Sequence, residues 1–263
     1  WLKQYSNLPT NWLPERSITD GLATNPEMNT TAVIPIKQLN DAKKRLADYL
    51  APEQRKALCQ VMFEDVLEAV TSCDRVDDVV VVTNDKSVAE IAGAYSARVI
   101  PEPDAAGLIA AVTHAAELLT AEGVGSMVFL PGDVPLVSVD ELEVVLDGFG
   151  MLDNPEFLIV PAEDLGGSNC VACSPPNCID FRFGIDSFRK HLRESESKGI
   201  ETSIARLPGI GLDVDTPDDL AQLSEILSQQ DAQTHTFKFL VRSGLLIDKN
   251  NPSNSKLTQG QSR

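Results

Sequence analysis

Between about residues 30 and 228 the chain alternates short apolar runs with longer segments whose apolar side chains recur every three or four positions. Residues 31–36 are rich in β-formers. Residues 51–72 carry Leu58, Val61, Met62, Val66, Leu67 and Val70 at helical spacing and predict a helix. Residues 78–84 contain Val79 to Val82 without polar alternation, as a strand covered on both faces requires. The pattern continues with a helix over 87–95, a strand over 98–100, a helix over 105–121 and a strand over 126–130. A helix over 139–149, capped by Ser138, and a strand over 157–160 follow. Alternation of this kind predicts an α/β fold, a mainly parallel mixed sheet with helices on both faces.

The two ends read differently. Residues 1–28 hold three prolines and no sustained period, which predicts a loose extension ahead of a domain spanning 29–228. Trp1 opens the sequence, and Met28 stands just before the first strand as a candidate start. Residues 229–263 predict a partly disordered tail, with a short packed piece over 237–241 and 245–247.

Composition narrows the function classes. Apolar residues make up 43% of the chain and aromatics 5%, so the core is built of Val, Leu, Ile and Ala. A net charge of -17 argues against a nucleic acid polymer or an anionic membrane as partner. No apolar stretch reaches the roughly 20 residues of a membrane span, and no basic-then-apolar leader is read at the start. Five cysteines without an export signal are read as free thiols in a reducing, cytoplasmic setting. Cys170, Cys173 and Cys178 have metal-like spacing, but no second pair completes a zinc set.

Four segments could carry chemistry, each with a bland reading beside it. Lys37, Lys43, Lys44 and Arg45 follow the first strand closely in an acidic protein; they suit phosphates, or are a solvated charge run. Asp133 follows an apolar strand between Gly132 and Val134-Pro135; it suits Mg²⁺, or is a turn aspartate. Asp213 and Asp215 end a predicted strand and share one face of it, where they could meet the same metal as Asp133. Downstream, Thr216, Pro217, Asp218 and Asp219 are explained by helix capping alone. Finally, 166–169 (GGSN) and 181–188 (FRFGIDSF) offer small residues and hydroxyls, and Ser187 either caps a helix or faces an anion. Neither a P-loop nor a dinucleotide fingerprint is present. His114, His191 and His235 sit in no motif and receive no role.

In chain order these segments read P-x-K…A-K-x-R-L, L-P-x-D-x-P-L, G-S-N, F-R-F-G-x-x-S-F and L-D-V-D-T-P-D-D-L. This resembles the 2-phospho-L-lactate guanylyltransferase family of deazaflavin coenzyme F-420 biosynthesis, including relatives that use phosphoenolpyruvate or 3-phosphoglycerate, over about residues 31–228. The resemblance implies a nucleotide-diphospho-sugar-transferase-like fold and Mg²⁺-dependent transfer of GMP from GTP to a phosphorylated three-carbon acid. Position by position, it implies Lys37, Lys43, Arg45 and Asp133 as catalytic residues, and Asp133, Asp213 and Asp215 as metal ligands. Ser168, Gly184 and Ser187 are implied as holders of the acid. One departure is Ile109 after Gly107-Leu108, where the family carries Asn. The alternatives kept open are a related nucleotidyltransferase acting on a sugar phosphate or a molybdopterin, and a nucleotide-binding regulator without turnover. Which acid is used is open, as is the oligomeric state, a homodimer included.

Overall fold

The computed structural model describes residues 29–39, 42–105, 107–229 and 233–246. The expected extension over 1–28 and the end of the tail lie outside these residues. Seven strands form one mixed sheet: β1 (Thr30–Pro35), β2 (Asp78–Val82), β3 (Arg98–Ile100), β4 (Ser126–Phe129), β5 (Glu156–Pro161), β6 (Ser168–Ser174) and β7 (Thr202–Ile204). Their order is β3-β2-β1-β4-β6-β5-β7. β6 is the antiparallel member, paired with β4 on one side and β5 on the other; every other pairing is parallel.

The pleat divides the core in two. Ala32, Ile34, Val79 and Val81 face one layer, and Val33, Val80 and Val82 the other. The first layer is covered by α1 (Pro52–Thr71), α2 (Lys86–Ala94), α4 (Val139–Leu146) and α7 (Pro217–Gln229), through side chains such as Met62, Val88, Leu142 and Leu223. On the second layer, α3 (Leu108–Ala121) brings Val112, Ala115 and Leu119 against the strands. α5 (Ser187–Ser197) packs beside β5 and β7 with an unusual buried stripe of Ser187, His191 and Ser195 at spacing four. None of the described helices is long and apolar enough to cross a membrane.

Local signals explain the helix ends. Pro52 starts α1, and Gln54 accepts the Ala51 N–H at 3.0 Å. Asp85 caps α2 and Ser138 caps α4 through side-chain bonds to first-turn N–H groups. α6 (Pro208–Gly211) is four residues long and is held by Glu141, whose carboxylate accepts Gly209 N at 2.7 Å and Ile210 N at 2.9 Å. α8 (His235–Arg242) lies against α1, with Leu240 fully buried and Asp65 of α1 accepting its first N–H groups. Its N-terminal cap is therefore partly supplied by another helix.

Candidate active site

The chain leaves β4 through Leu130, whose N–H still bonds Val33 O, and then turns at Pro131-Gly132. A Cβ on Gly132 would stand 2.5 Å from Ile36 Cδ1, so glycine lets the turn lie against the end of β1. Asp133 follows directly. Its carbonyl accepts Val214 N at 3.1 Å, which ties the turn after β4 to the segment carrying Asp213 and Asp215. That segment is not a strand, as the sequence suggested. It is irregular chain between α6 and α7, because Glu141 captures the preceding residues as a helical turn. Asp219 fixes its far end by accepting Asp215 N and Thr216 N at 2.9 and 2.7 Å.

Two of the three aspartates, Asp133 and Asp215, meet around one ammonium, and Asp213 stands apart from it on Asn169. Lys43 Nζ donates to Asp133 and, at 2.7 Å, to Asp215 Oδ1. Burial works to lower the Lys43 pKa, but the charges of Asp133 and Asp215 and the bonds to both outweigh it and hold it above the usual lysine range. Lys43 itself has left-handed backbone, φ 51°, just before the 3-10 turn Lys44–Leu46. A non-glycine residue in that conformation costs energy that its surroundings must supply. Arg45 NH1 stands 3.8 Å from Asp215 Oδ2 and is largely exposed. Asp213 is held by Asn169, whose Nδ2 lies 3.0 Å from its Oδ1 and also bonds the carbonyls of Ile210 and Gly211. Burial raises the Asp213 pKa and the Asp133 charge raises it further, while the Asn169 bond pulls the other way. Asp133 and Asp215 thus share a cation, while Asp213 is held by an amide.

An open cleft of about 640 Å³ extends from this cluster, lined by Arg45, Gly167, Asn169, Gly184, Asp213 and Asp215 among others. That volume is in the range of small-ligand sites. Next in the chain to the lining residues Gly167 and Asp186, the buried hydroxyls of Ser168 and Ser187 lie 3.1 Å apart. Ser187 opens α5 but does not cap it. The N-cap position is Asp186, no side-chain cap bond forms, and the Ser187 hydroxyl donates to Ser168 instead. Gly184 has φ 108°, a backbone that side chains rarely adopt, and its carbonyl accepts Ser187 N.

The structure therefore brings Lys43, Arg45, Asp133 and Asp215 into contact and places Arg45, Gly184, Asp213 and Asp215 on the cleft lining; Ser168 and Ser187 are buried and off that lining, though their chain neighbours Gly167, Asn169 and Asp186 are on it. Lys37 is apart. It is exposed at the end of β1 and lines a smaller hollow with Glu102, Gly107 and Leu108. The cysteine spacing has no metal meaning: on β6, Cys170 belongs to one core layer and Cys173 to the other. Two residues of the site were missed by sequence reasoning, Asn169 and His191. The imidazole of His191 contacts Ser168 Oγ at 2.9 Å. A usable signal was its place one helical turn after Ser187.

Residues 30–260 match the family described as "Guanylyl transferase CofC like". The chain is 35% identical over 214 residues to a phosphoenolpyruvate guanylyltransferase of Conexibacter woesei, covering 80% of this chain and 94% of that one. It is 35% identical to a 3-phospho-D-glycerate guanylyltransferase of Colwellia psychrerythraea, covering 76% and 94%. Among solved structures, a protein of Desulfovibrio desulfuricans G20 assigned as a nucleotide-diphospho-sugar transferase superposes with a TM-score of 0.68 at 18% identity, covering 84% of this chain and 98% of that one. That likeness speaks for the fold.

Proposed function

The chain belongs to the CofC-like guanylyl transferase family, and on that premise we propose that it transfers GMP from GTP to a phosphorylated three-carbon acid and releases pyrophosphate. The product would serve the biosynthesis of deazaflavin coenzyme F-420. The observation that carries this reading is a cation and carboxylate cluster at a cleft whose lining also takes in Gly184 and the chain neighbours of a buried serine pair. A cationic and carboxylate cluster suits a triphosphate, and a buried hydroxyl pair beside Gly184 suits a small anion.

A Mg²⁺ ion would be held by the carboxylates. Asp133, Asp213 and Asp215 would supply carboxylate oxygens, which a hard cation prefers, and binding would draw the three closer together than they stand. Burial first, and then the Asp133 charge, raise the Asp213 pKa, and a cation beside it would offset both. When bound there, Mg²⁺ would neutralise charge on the α-phosphate and on the departing pyrophosphate.

The chain's own residues would act by orientation and charge. One phosphate oxygen of the acid attacks the α-phosphorus, the new O–P bond forms, and the bond to the pyrophosphate oxygen breaks. A phosphate monoester has its second pKa near 6, so this nucleophile is already ionised at neutral pH and needs no base. Lys43 and Arg45 would take up charge on the leaving pyrophosphate. Lys37 would reach the nucleotide from the hollow at the end of β1. Ser168, Ser187 and the backbone at Gly184 would hold the acid. His191 is unsuited to be a base, because burial, with the Arg182 charge, depresses its pKa to about 4 and its Nε2 already accepts a backbone N–H.

The test is a pyrophosphate-release assay crossing GTP, ATP and CTP with 2-phospho-L-lactate, phosphoenolpyruvate and 3-phospho-D-glycerate. GTP with at least one acid is expected to react. No release with any acid, or release only with a sugar phosphate, overturns the proposal; tight GTP binding without release would favour a regulator.

A further inference from the structure

His191 is fully buried on α5, edge-on to Phe183 with ring centroids 4.9 Å apart. Both ring nitrogens are engaged. Nε2 lies 2.8 Å from the backbone nitrogen of Arg182, and Nδ1 lies 2.9 Å from Ser168 Oγ. A backbone N–H can only donate, so Nε2 must be an unprotonated acceptor. The ring proton of the neutral imidazole is thereby fixed on Nδ1, where it donates to Ser168 Oγ. The doubly protonated ring would set one N–H against another and is excluded by the same contact.

This polarity has a consequence for the two hydroxyls. Ser168 Oγ receives the imidazole N–H and also meets Ser187 Oγ at 3.1 Å. The serine pair owns two hydroxyl hydrogens, and one of them spans the pair. Among the described residues no acceptor takes the other. With the opposite imidazole tautomer, Nδ1 would be an acceptor and would consume that hydrogen itself.

We infer that His191 is a positioning residue for the acceptor substrate: held in one tautomer by the Arg182 N–H, it turns Ser168 and Ser187 into a pair with one hydrogen-bond donor left to give to an anionic oxygen. The inference rests on the proposed role of Ser168 and Ser187 in holding the acid. The chain arranges the device economically. Arg182 precedes Gly184 in the loop that leads into α5, Ser187 opens that helix, and His191 follows one turn later. The loop that borders the cleft therefore sets the tautomer of the ring that orients the two serine hydroxyls.

Two measurements decide it. In the wild-type protein labelled with ¹⁵N-histidine and without substrate, His191 should show an Nδ1–H tautomer that stays neutral from pH 8 to pH 5.5. An Nε2–H ring, or a ring titrating near its ordinary value, overturns the inference whatever the enzyme acts on. The second measurement compares His191→Asn, whose amide can donate from the Nδ1 position, with His191→Gln, whose amide can accept at the Nε2 position. His191→Asn should keep KM for the acid within about threefold. His191→Gln should raise it roughly ten- to a hundredfold, the worth of one bond to a charged group, with KM for GTP unchanged in both. The reverse order, Gln tolerated and Asn not, would make His191 only an anchor for the Arg182 loop and overturn the positioning role. If neither variant folds, the tautomer still decides. If the wild type turns over none of the acids, the proposed function fails, and the spectrum separately reports the hydrogen-bond assignment.

Discussion

The ammonium of Lys43 stands 2.7 Å from Asp215, 172 residues away in the chain, and the same nitrogen donates to Asp133. One cation thus joins the loop after β1, the turn after β4 and the segment before α7. Lys43→Met should lower kcat by about two orders of magnitude, the usual cost of losing a charge stabiliser in a transition state. It should also leave the aspartates more dependent on an added cation. Mg²⁺ should raise the melting temperature more in the variant than in the wild type. An equal rise in both would show that Lys43 and the cation do not serve the same carboxylates.

Asp133→Asn keeps the shape of the turn and the carbonyl bond to Val214, but removes one charge from the cluster. Turnover should nearly vanish while the melting temperature stays within a few degrees, because the side chain lies at the cleft and not in the core. Near-normal Mg²⁺-dependent activity in this variant would remove Asp133 from the mechanism.

Gly209 has no room for a side chain. A Cβ there would stand 2.3 Å from the Leu136 carbonyl oxygen and 2.6 Å from Glu141 Oε2. Gly209→Ala should cost about 2–3 kcal/mol by forcing α6 away from the carboxylate that holds it. Asp213 lies four residues on, so kcat should fall as well. A variant with wild-type stability in urea would show that the turn moves freely.

Asp65 of α1 accepts the N–H groups of His235 and Thr236 at 2.7 and 2.9 Å. Asp65→Ala should cost about 1–3 kcal/mol through the lost cap and the unsatisfied donors. Hydrogen exchange in α8 should rise, and turnover at 25 °C should hold, since the contact is remote from the cleft. Unchanged exchange in α8 would mean that Leu240 and its apolar neighbours alone keep it docked.

Strands β1 to β5 were readable, because Val79 to Val82 and their counterparts are short apolar runs between longer periodic segments. β6 was not readable. Ser168 to Ser174 is made of small residues for which no strand is predicted, and they form one because β4 and β5 supply partners on both edges. β7 is three residues long, and α6 exists through its bonds to Glu141, so neither has a local signal. In the site, Asp133 was legible from its strand end, whereas the strand expected at Asp213 and Asp215 did not form and their i, i+2 spacing was no guide to their placement. Asn169 was not legible, since its three acceptors lie more than 40 residues away. His191 escaped because α5 buries a polar stripe, whereas periodicity marks buried faces by apolar residues.

That buried imidazole should leave a mark on stability as a function of pH. Burial, and then the Arg182 charge, depress the His191 pKa from 6.5 to about 4. The unfolded chain therefore binds a proton between those values that the folded chain refuses. Stability from this group is fully present above pH 6.5 and is lost as pH falls toward 4, by about 2–3 kcal/mol at pH 4.5. Asp65 and Asp213 work in the other direction, because burial raises their pKa and the folded state holds their protons more tightly. Their contributions remain when His191 is replaced, so the difference between two proteins isolates the histidine. Urea unfolding of wild type and His191→Asn at pH 7.5 and pH 4.5 makes the comparison. The wild type should lose about 2–3 kcal/mol more than the variant across that interval. Equal losses would mean that the folded protein admits a proton to His191, and the fixed tautomer at Ser168 would fall with it.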